Sequence, residues 1–140
     1  MAKIELRNLG KLDKRSRDDF KDFSHDGTNG FYRDEIRAGR LSIYAVIIDS
    51  LRVGSVALRH EEQPHGGEMV IVAGGGVRRN GMRLVPTILG FLEQQAVRLG
   101  EKSIRFHTVR MPLVQVAISR GYFEIDDGDP DEVTMRKVLA

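Results

Sequence analysis

Between residues 72 and 83 the chain reads Val72-Ala73-Gly74-Gly75-Gly76-Val77-Arg78-Arg79-Asn80-Gly81-Met82-Arg83. Three consecutive glycines close an apolar stretch, a basic loop follows, and the strongest helical periodicity in the sequence comes next. In that helix Leu84, Val85, Ile88, Leu89, Leu92 and Ala96 recur on one face, and Gly100 stops it after Leu99. A strand, a glycine-rich turn and an amphipathic helix in this order suit an anion. Glycine allows close approach to the backbone, and the helix start offers unpaired N–H groups and a partial positive charge. Arg78, Arg79 and Arg83 can add charge-assisted hydrogen bonds to a phosphate or pyrophosphate. The run lacks the Lys-Ser/Thr ending of a P-loop and the G-x-G-x-x-G spacing of a dinucleotide loop. Its bland alternative is a strand–helix connection carrying ordinary solvated arginines.

The remaining elements follow from pattern and punctuation. Lys3 to Arg7 reads as a first strand, Arg15 to Phe23 as a charged surface helix, and Phe31 to Arg37 as a second short helix. The segment between these helices, Ser24 to Gly30, is loop material. Leu41 to Ile48 and Val53 to Leu58 read as antiparallel strands about an Asp49-Ser50 turn. A polar segment from Arg59 to Gly67 leads to a third strand of this group, Glu68 to Ala73. After the main helix come a strand at Ser103 to His107, a helix from Pro112 to Arg120, and a strand at Tyr122 to Ile125. Val133 to Val138 is either its hairpin partner or a terminal helix, because periodicity alone does not choose. The predicted order is β-α-α-β-β-β-α-β-α-β-(β), an α/β chain (α+β, with a mixed sheet) and one right-handed parallel crossover. With 140 residues and no linker or repeat, residues 1–140 are expected to form a single domain.

Composition narrows the function. Twenty-two basic and 20 acidic residues leave a net charge of +2, too small a surplus for a general polyanion binder. Nucleic acid, reached through the arginine loop, is therefore the least favoured partner. The absence of cysteine excludes a catalytic thiol and thiolate metal sites. His60-Glu61-Glu62 with His65 misses the H-E-x-x-H spacing by one residue, and Pro64 interrupts it, so no metal is expected. Met1 to Glu5 has no apolar core of a signal peptide, and the run from Met69 to Val77 is too short to span a bilayer. A cytoplasmic location without membrane contact is the expectation.

In this setting the sequence resembles the GNAT (Gcn5-related N-acetyltransferase) superfamily, as a divergent member. The order of elements is similar along nearly the whole chain. Arg78-Arg79-Asn80-Gly81-Met82-Arg83 looks like the family's Q/R-x-x-G-x-G/A pyrophosphate loop, with Arg78 first and Gly81 central. Arg83 replaces the final small residue. Val116-Ala117-Ile118-Ser119-Arg120-Gly121-Tyr122 resembles the family's helix ending in Gly-Phe. The resemblance implies a GNAT-like acyl-CoA N-acyltransferase fold and an acetyl-CoA (or other acyl-CoA) donor. It further implies an amine acceptor, either a small molecule or a protein lysine or N-terminus, direct attack in a ternary complex, and a homodimer as one open assembly. The arm of the donor would lie along Val70, Val72 and Gly74. Gly76, Val77, Arg78, Arg79, Asn80, Gly81, Met82 and Arg83 would hold its phosphates.

Three residues are candidates for the chemistry. Glu68, a carboxylate at the start of the cofactor strand, resembles the family's base. His107 ends the strand after the main helix, with a packed imidazole as its alternative. Tyr122 is the phenol nearest the family's usual acid position, which is Ala117 here. Arg110 stands where asparagine is common. The early helices, with Asp19, Asp22, Asp26, Asp34 and Glu35, would shape the acceptor side. These departures also suit a second class, a GNAT-like binding or regulatory module without turnover.

Overall fold

In a computed structural model of the protein, which describes residues 3–20, 29–75, 84–108, 110–126 and 131–139, the element order read from the sequence is observed. The strands are β1 (Ile4–Asn8), β2 (Ser42–Ile48), β3 (Leu51–Gln63), β4 (Gly66–Gly75), β5 (Ser103–Thr108), β6 (Phe123–Ile125) and β7 (Val133–Val138). The helices are α1 (Lys14–Asp19), α2 (Asn29–Arg37), α3 (Val85–Arg98) and α4 (Met111–Ser119). Two units make up the chain: Met1–Arg59 with Val72–Arg79, and His60–Ile71 with Asn80–Ala140. Both draw on β3 and β4. The hydrogen-bonded strand order is β1-β2-β3-β4 in the first and β3-β4-β5-β7-β6 in the second.

In the first unit β1 pairs antiparallel with β2, from Ile4↔Ile48 to Asn8↔Tyr44, and β2 with β3, from Ser42↔Leu58 to Ile48↔Leu51. The turn at Asp49 and Ser50 has positive φ at both residues, 51° and 72°. That is the backbone a two-residue hairpin needs to match strand twist, and Asp tolerates it better than most residues. The core holds Phe20, Tyr32, Leu41, Ile43, Ala57 and Ala73, with Leu9, Leu12, Ile36 and Val72 packed against it. The Phe20 and Tyr32 rings lie 5.8 Å apart, so the end of α1 and the start of α2 share one cluster.

The second unit contains the parallel crossover. β4 pairs with β5 from Glu68↔Ser103 to Ile71↔Phe106, and α3 connects them. Leu89, Leu92, Ala96, Val114 and Ala117 are the buried apolar residues of α3 and α4, and Ile104, Phe106 and Met135 those of β5 and β7. Gly100 and Gly121 end the two helices at φ 81° and 92°, left-handed positions that a side chain disfavours.

The structure decides one alternative that the sequence leaves open and differs from the sequence reading in one segment. Residues 133–138 are a strand, because β7 is paired on both sides, with β5 and with β6. The polar segment 59–67 is largely β-structure: β3 continues to Gln63 and β4 begins at Gly66. Charges hide this extension from a hydrophobic pattern. Glu61 accepts from Arg105 Nη2 (2.9 Å), and Gln63 donates to Glu68 (3.2 Å), so its polar side chains are satisfied across the sheet.

His60, on the same extension, bonds Glu101 through Nδ1 (2.7 Å) and Glu62 through Nε2 (2.6 Å). The bond to Glu62 is the main cause of a raised pKa; burial opposes it, and the bond and charge of Glu101 add to the rise. A raised folded pKa stabilises fully below the ordinary value of 6.5 and is lost as pH rises through the folded value. The ring is half exposed and screened by solvent, so the contribution is at most about 1 kcal/mol. Denaturant titration of His60→Ala is expected to give lower stability than the parent at about pH 6 and equal stability at about pH 9.

Candidate active site

The site begins with the end of β4. Its ladder with β5 stops at Ile71↔Phe106, and the strand runs on through Val72, Ala73, Gly74 and Gly75. Beyond the ladder that edge has no strand partner among the described residues, and backbone donors and acceptors on such an edge are met by water or by an extended ligand. Val70 stands inside the ladder opposite Arg105 and is 1% exposed, so the open edge starts two residues later than this valine. Val72 is half-buried against the Phe20–Tyr32 cluster. A Cβ at Gly74 would meet only Ser55 O, at 3.9 Å. One at Gly75 would fall 2.0 Å from Asp19 O. Gly74 therefore leaves room beside the edge, whereas Gly75 lets the end of α1 lie directly against it.

That helix end is held by a chain of polar contacts. Asp13 caps α1 by accepting from Ser16 N (2.8 Å), and the same carboxylate accepts from Arg52 Nη1 (2.7 Å) and Nη2 (3.1 Å). Arg52 Nη2 also donates to Ser55 Oγ (2.9 Å), and Ser55 Oγ donates to Asp19 Oδ2 (2.6 Å). The Arg52 hydrogen bonds hold Asp13 well below the usual carboxylate range, against an opposing effect of burial. Nothing in the sequence marks this chain. Its hydrogen-bonded partners are up to 39 residues apart and belong to common residue types.

The main helix starts without a side-chain cap: Leu84 occupies the N-cap position and Pro86 falls in the first turn. Its first N–H groups thus have no side-chain acceptor of the usual Ser, Thr or Asp kind. Gly76, Val77, Arg78, Arg79, Asn80, Gly81, Met82 and Arg83 lie outside the described residues, as do Asp22 and Asp26.

The three candidates for chemistry have separate surroundings. Glu68 is fully buried. It accepts from Ser103 Oγ (2.7 Å), Arg105 Nη1 (2.8 Å), Gln63 Nε2 (3.2 Å), and from Nε and Nη2 (3.0 Å) of Arg136. Burial works against its charge, but the hydrogen bonds from Arg136 and Ser103 and the charge of Arg105 outweigh it, and its pKa is lowered. A carboxylate so engaged is the anchor of an ion-pair cluster and a poor proton acceptor. Ser103, which donates to Glu68, is itself fully buried, and His65 Nε2 lies 2.8 Å from its Oγ.

His107 lies on β5 opposite Thr134, with Nδ1 2.7 Å from Thr134 Oγ1 and 3.8 Å from Glu132. Tyr122 is 3% exposed, packs edge-on against Phe106 at 5.4 Å, and donates to Glu93 Oε2 (3.1 Å). Burial first, and then the negative charge of Glu93, push its pKa upward. Glu93, a residue of α3, also accepts from Arg120 and Lys137, so Tyr122 is part of a second ion-pair cluster. Ala117 is fully buried. Among the early residues, Tyr32 is core and Glu35 pairs with Arg40 (2.7 Å).

No protein-family profile and no curated protein matches the sequence. Solved structures do match its fold from end to end. An acetyltransferase of Bacillus subtilis in complex with CoA aligns with a TM-score of 0.72 at 15% identity, covering 100% of both chains. A GNAT family acetyltransferase of Elizabethkingia anophelis with acetyl-CoA bound aligns at 0.70 and 10% identity, covering 99% of this chain and 98% of that one. An N-acetyltransferase of Staphylococcus aureus gives 0.70 and 12%, with the same coverage. The chain has the GNAT-type mixed α/β fold.

Proposed function

We propose that this protein is an acyl-CoA-dependent N-acyltransferase, with acetyl-CoA as its simplest donor and a primary amine as its acceptor. The observation that carries the reading is the end of β4, four residues that outrun the ladder with β5 on the fold of acetyl-CoA-binding proteins. On this reading the amide-bearing arm of the donor pairs with the edge from Val72 to Gly74. The arginines at 78 and 79 take its pyrophosphate. The donor supplies the activated acyl carbon as a thioester. Glu68 and Tyr122 serve the scaffold in this reading, and His107 remains a candidate for proton handling.

A second reading, a GNAT-fold binding module without turnover, is favoured by one specific observation. Ala117 is at the usual acid position, and the neighbouring phenol of Tyr122 is committed to Glu93. Titration of ligand-free protein with acetyl-CoA tests the first reading. Micromolar binding is expected, weakened about tenfold or more in an Arg78→Ala, Arg79→Ala double variant. Folded, empty protein that takes up no acetyl-CoA would sink it. Binding without thiol release across a panel of amines would support the second.

A further inference from the structure

We propose that Asp19 is the carboxylate that receives the acceptor's ammonium, held for that task by Ser55 and, behind it, by Arg52 and Asp13. The inference rests on the acyl-transfer reading and adds the residue that selects a charged amine. All the residues it uses belong to the first unit. Asp19 is the last residue of α1, and its carbonyl oxygen occupies the space a side chain would need at Gly75. This puts the end of α1 against the stretch of β4 that outruns its ladder. Its carboxylate is half-buried, and among the described residues Ser55 Oγ is its one hydrogen-bond donor.

Three polar side chains, Ser55, Arg52 and Asp13, fix one carboxylate here. Arg52 is ion-paired with Asp13, and among the described residues only the hydroxyl of Ser55 reaches Asp19. Among the described residues no cation pairs with Asp19, in contrast to Glu68 and Glu93, which are already ion-paired. An ammonium docked there gives one proton to Asp19. The freed nitrogen lone pair forms the C–N bond as the thioester C–S bond breaks, and the second nitrogen proton neutralises the departing thiolate. One amide, one thiol and one protonated Asp19 result, and solvent takes the last proton. Ser55, Arg52 and Asp13 are positioning residues in this scheme.

The test compares two amines of nearly equal shape, phenethylamine, an ammonium at neutral pH, and O-benzylhydroxylamine, which is uncharged there. Thiol release from acetyl-CoA is measured for the parent, Asp19→Asn and Ser55→Ala, with acetyl-CoA binding measured separately by titration. Asp19→Asn keeps the acceptor for Ser55, so it is expected to melt near the parent and to bind acetyl-CoA equally. Its KM for phenethylamine should rise about 10- to 100-fold, while that for the uncharged amine changes less than about twofold. Ser55→Ala should show the same selectivity to a smaller degree. Equal losses for both amines, an unchanged KM for phenethylamine in both variants, or a parent that binds acetyl-CoA but acylates neither amine would each overturn the inference. A parent that fails to bind acetyl-CoA overturns the acyl-transfer reading itself, and the titration separates the two failures.

Discussion

Glu68→Ala is expected to destabilise the protein by about 3–5 kcal/mol, the range for removing one partner from a buried ion pair. The carboxylate is fully buried and holds two guanidiniums that are themselves mostly buried, Arg105 at 13% and Arg136 at 19% side-chain exposure. Without it, Arg105 keeps Glu61, but its Nε is already buried without a hydrogen-bond partner. Arg136 would be left facing Arg105 across the β5–β7 ladder, where the two are directly paired. For a chain of this size the loss corresponds to a fall of roughly 10–20 °C in melting temperature. The folded pKa of Glu68 is lowered, so its contribution is complete above the ordinary value of 4.5 and fades as pH falls through the lower folded value. The acid limb of the stability curve should therefore be shallower in the variant. A catalytic base would behave differently, losing turnover in Glu68→Gln while melting like the parent. A variant that melts normally would refute the structural role.

Gly75→Ala is expected to disrupt the seat of α1, whereas Gly74→Ala is not. At Gly75 the new methyl would fall 2.0 Å from a backbone oxygen, and neither backbone can swing aside as a side-chain tip could. Overpacking of this kind costs about 1–3 kcal/mol and shifts the groups that meet there. At Gly74 the nearest atom, at 3.9 Å, is at ordinary contact distance. Both variants should lose affinity for acetyl-CoA if its arm lies along this edge, but only Gly75→Ala should also lose stability. Parallel melting curves and titrations read the two effects apart. Equal stability of the two variants would show that the end of α1 is not packed as described.

The fold was legible because its determinants are local. Periodicity gave α3, glycines at 100 and 121 ended two helices, and Val- and Ile-rich runs gave β2 and β4. The anion-loop reading falls on residues outside those described, and titration of the Arg78→Ala, Arg79→Ala variant tests it. What the chain does not announce is pairing at long range. Glu68 reads as a base at the head of a strand until Arg105 and Arg136, 37 and 68 residues away, are seen to close on it. The extension of β3 past Arg59 is hidden for the same reason, since a strand whose polar side chains are satisfied by distant charges has no hydrophobic alternation. Asp19 was visible only as one acid among several. Its distinction comes from Ser55 and from the missing side chain at Gly75.

Asp13 closes the start of α1 with the same carboxylate that grips Arg52 on β3. A helix of six residues cannot persist alone in water, because nucleation costs more than so few internal bonds return. With cap and anchor vested in one group, α1 has no stage in which it is helical but undocked, or docked but unwound. Its order is borrowed from the hairpin. Anything that loosens β2 and β3 would dissolve the helix too, and with it the position of the carboxylate at its far end.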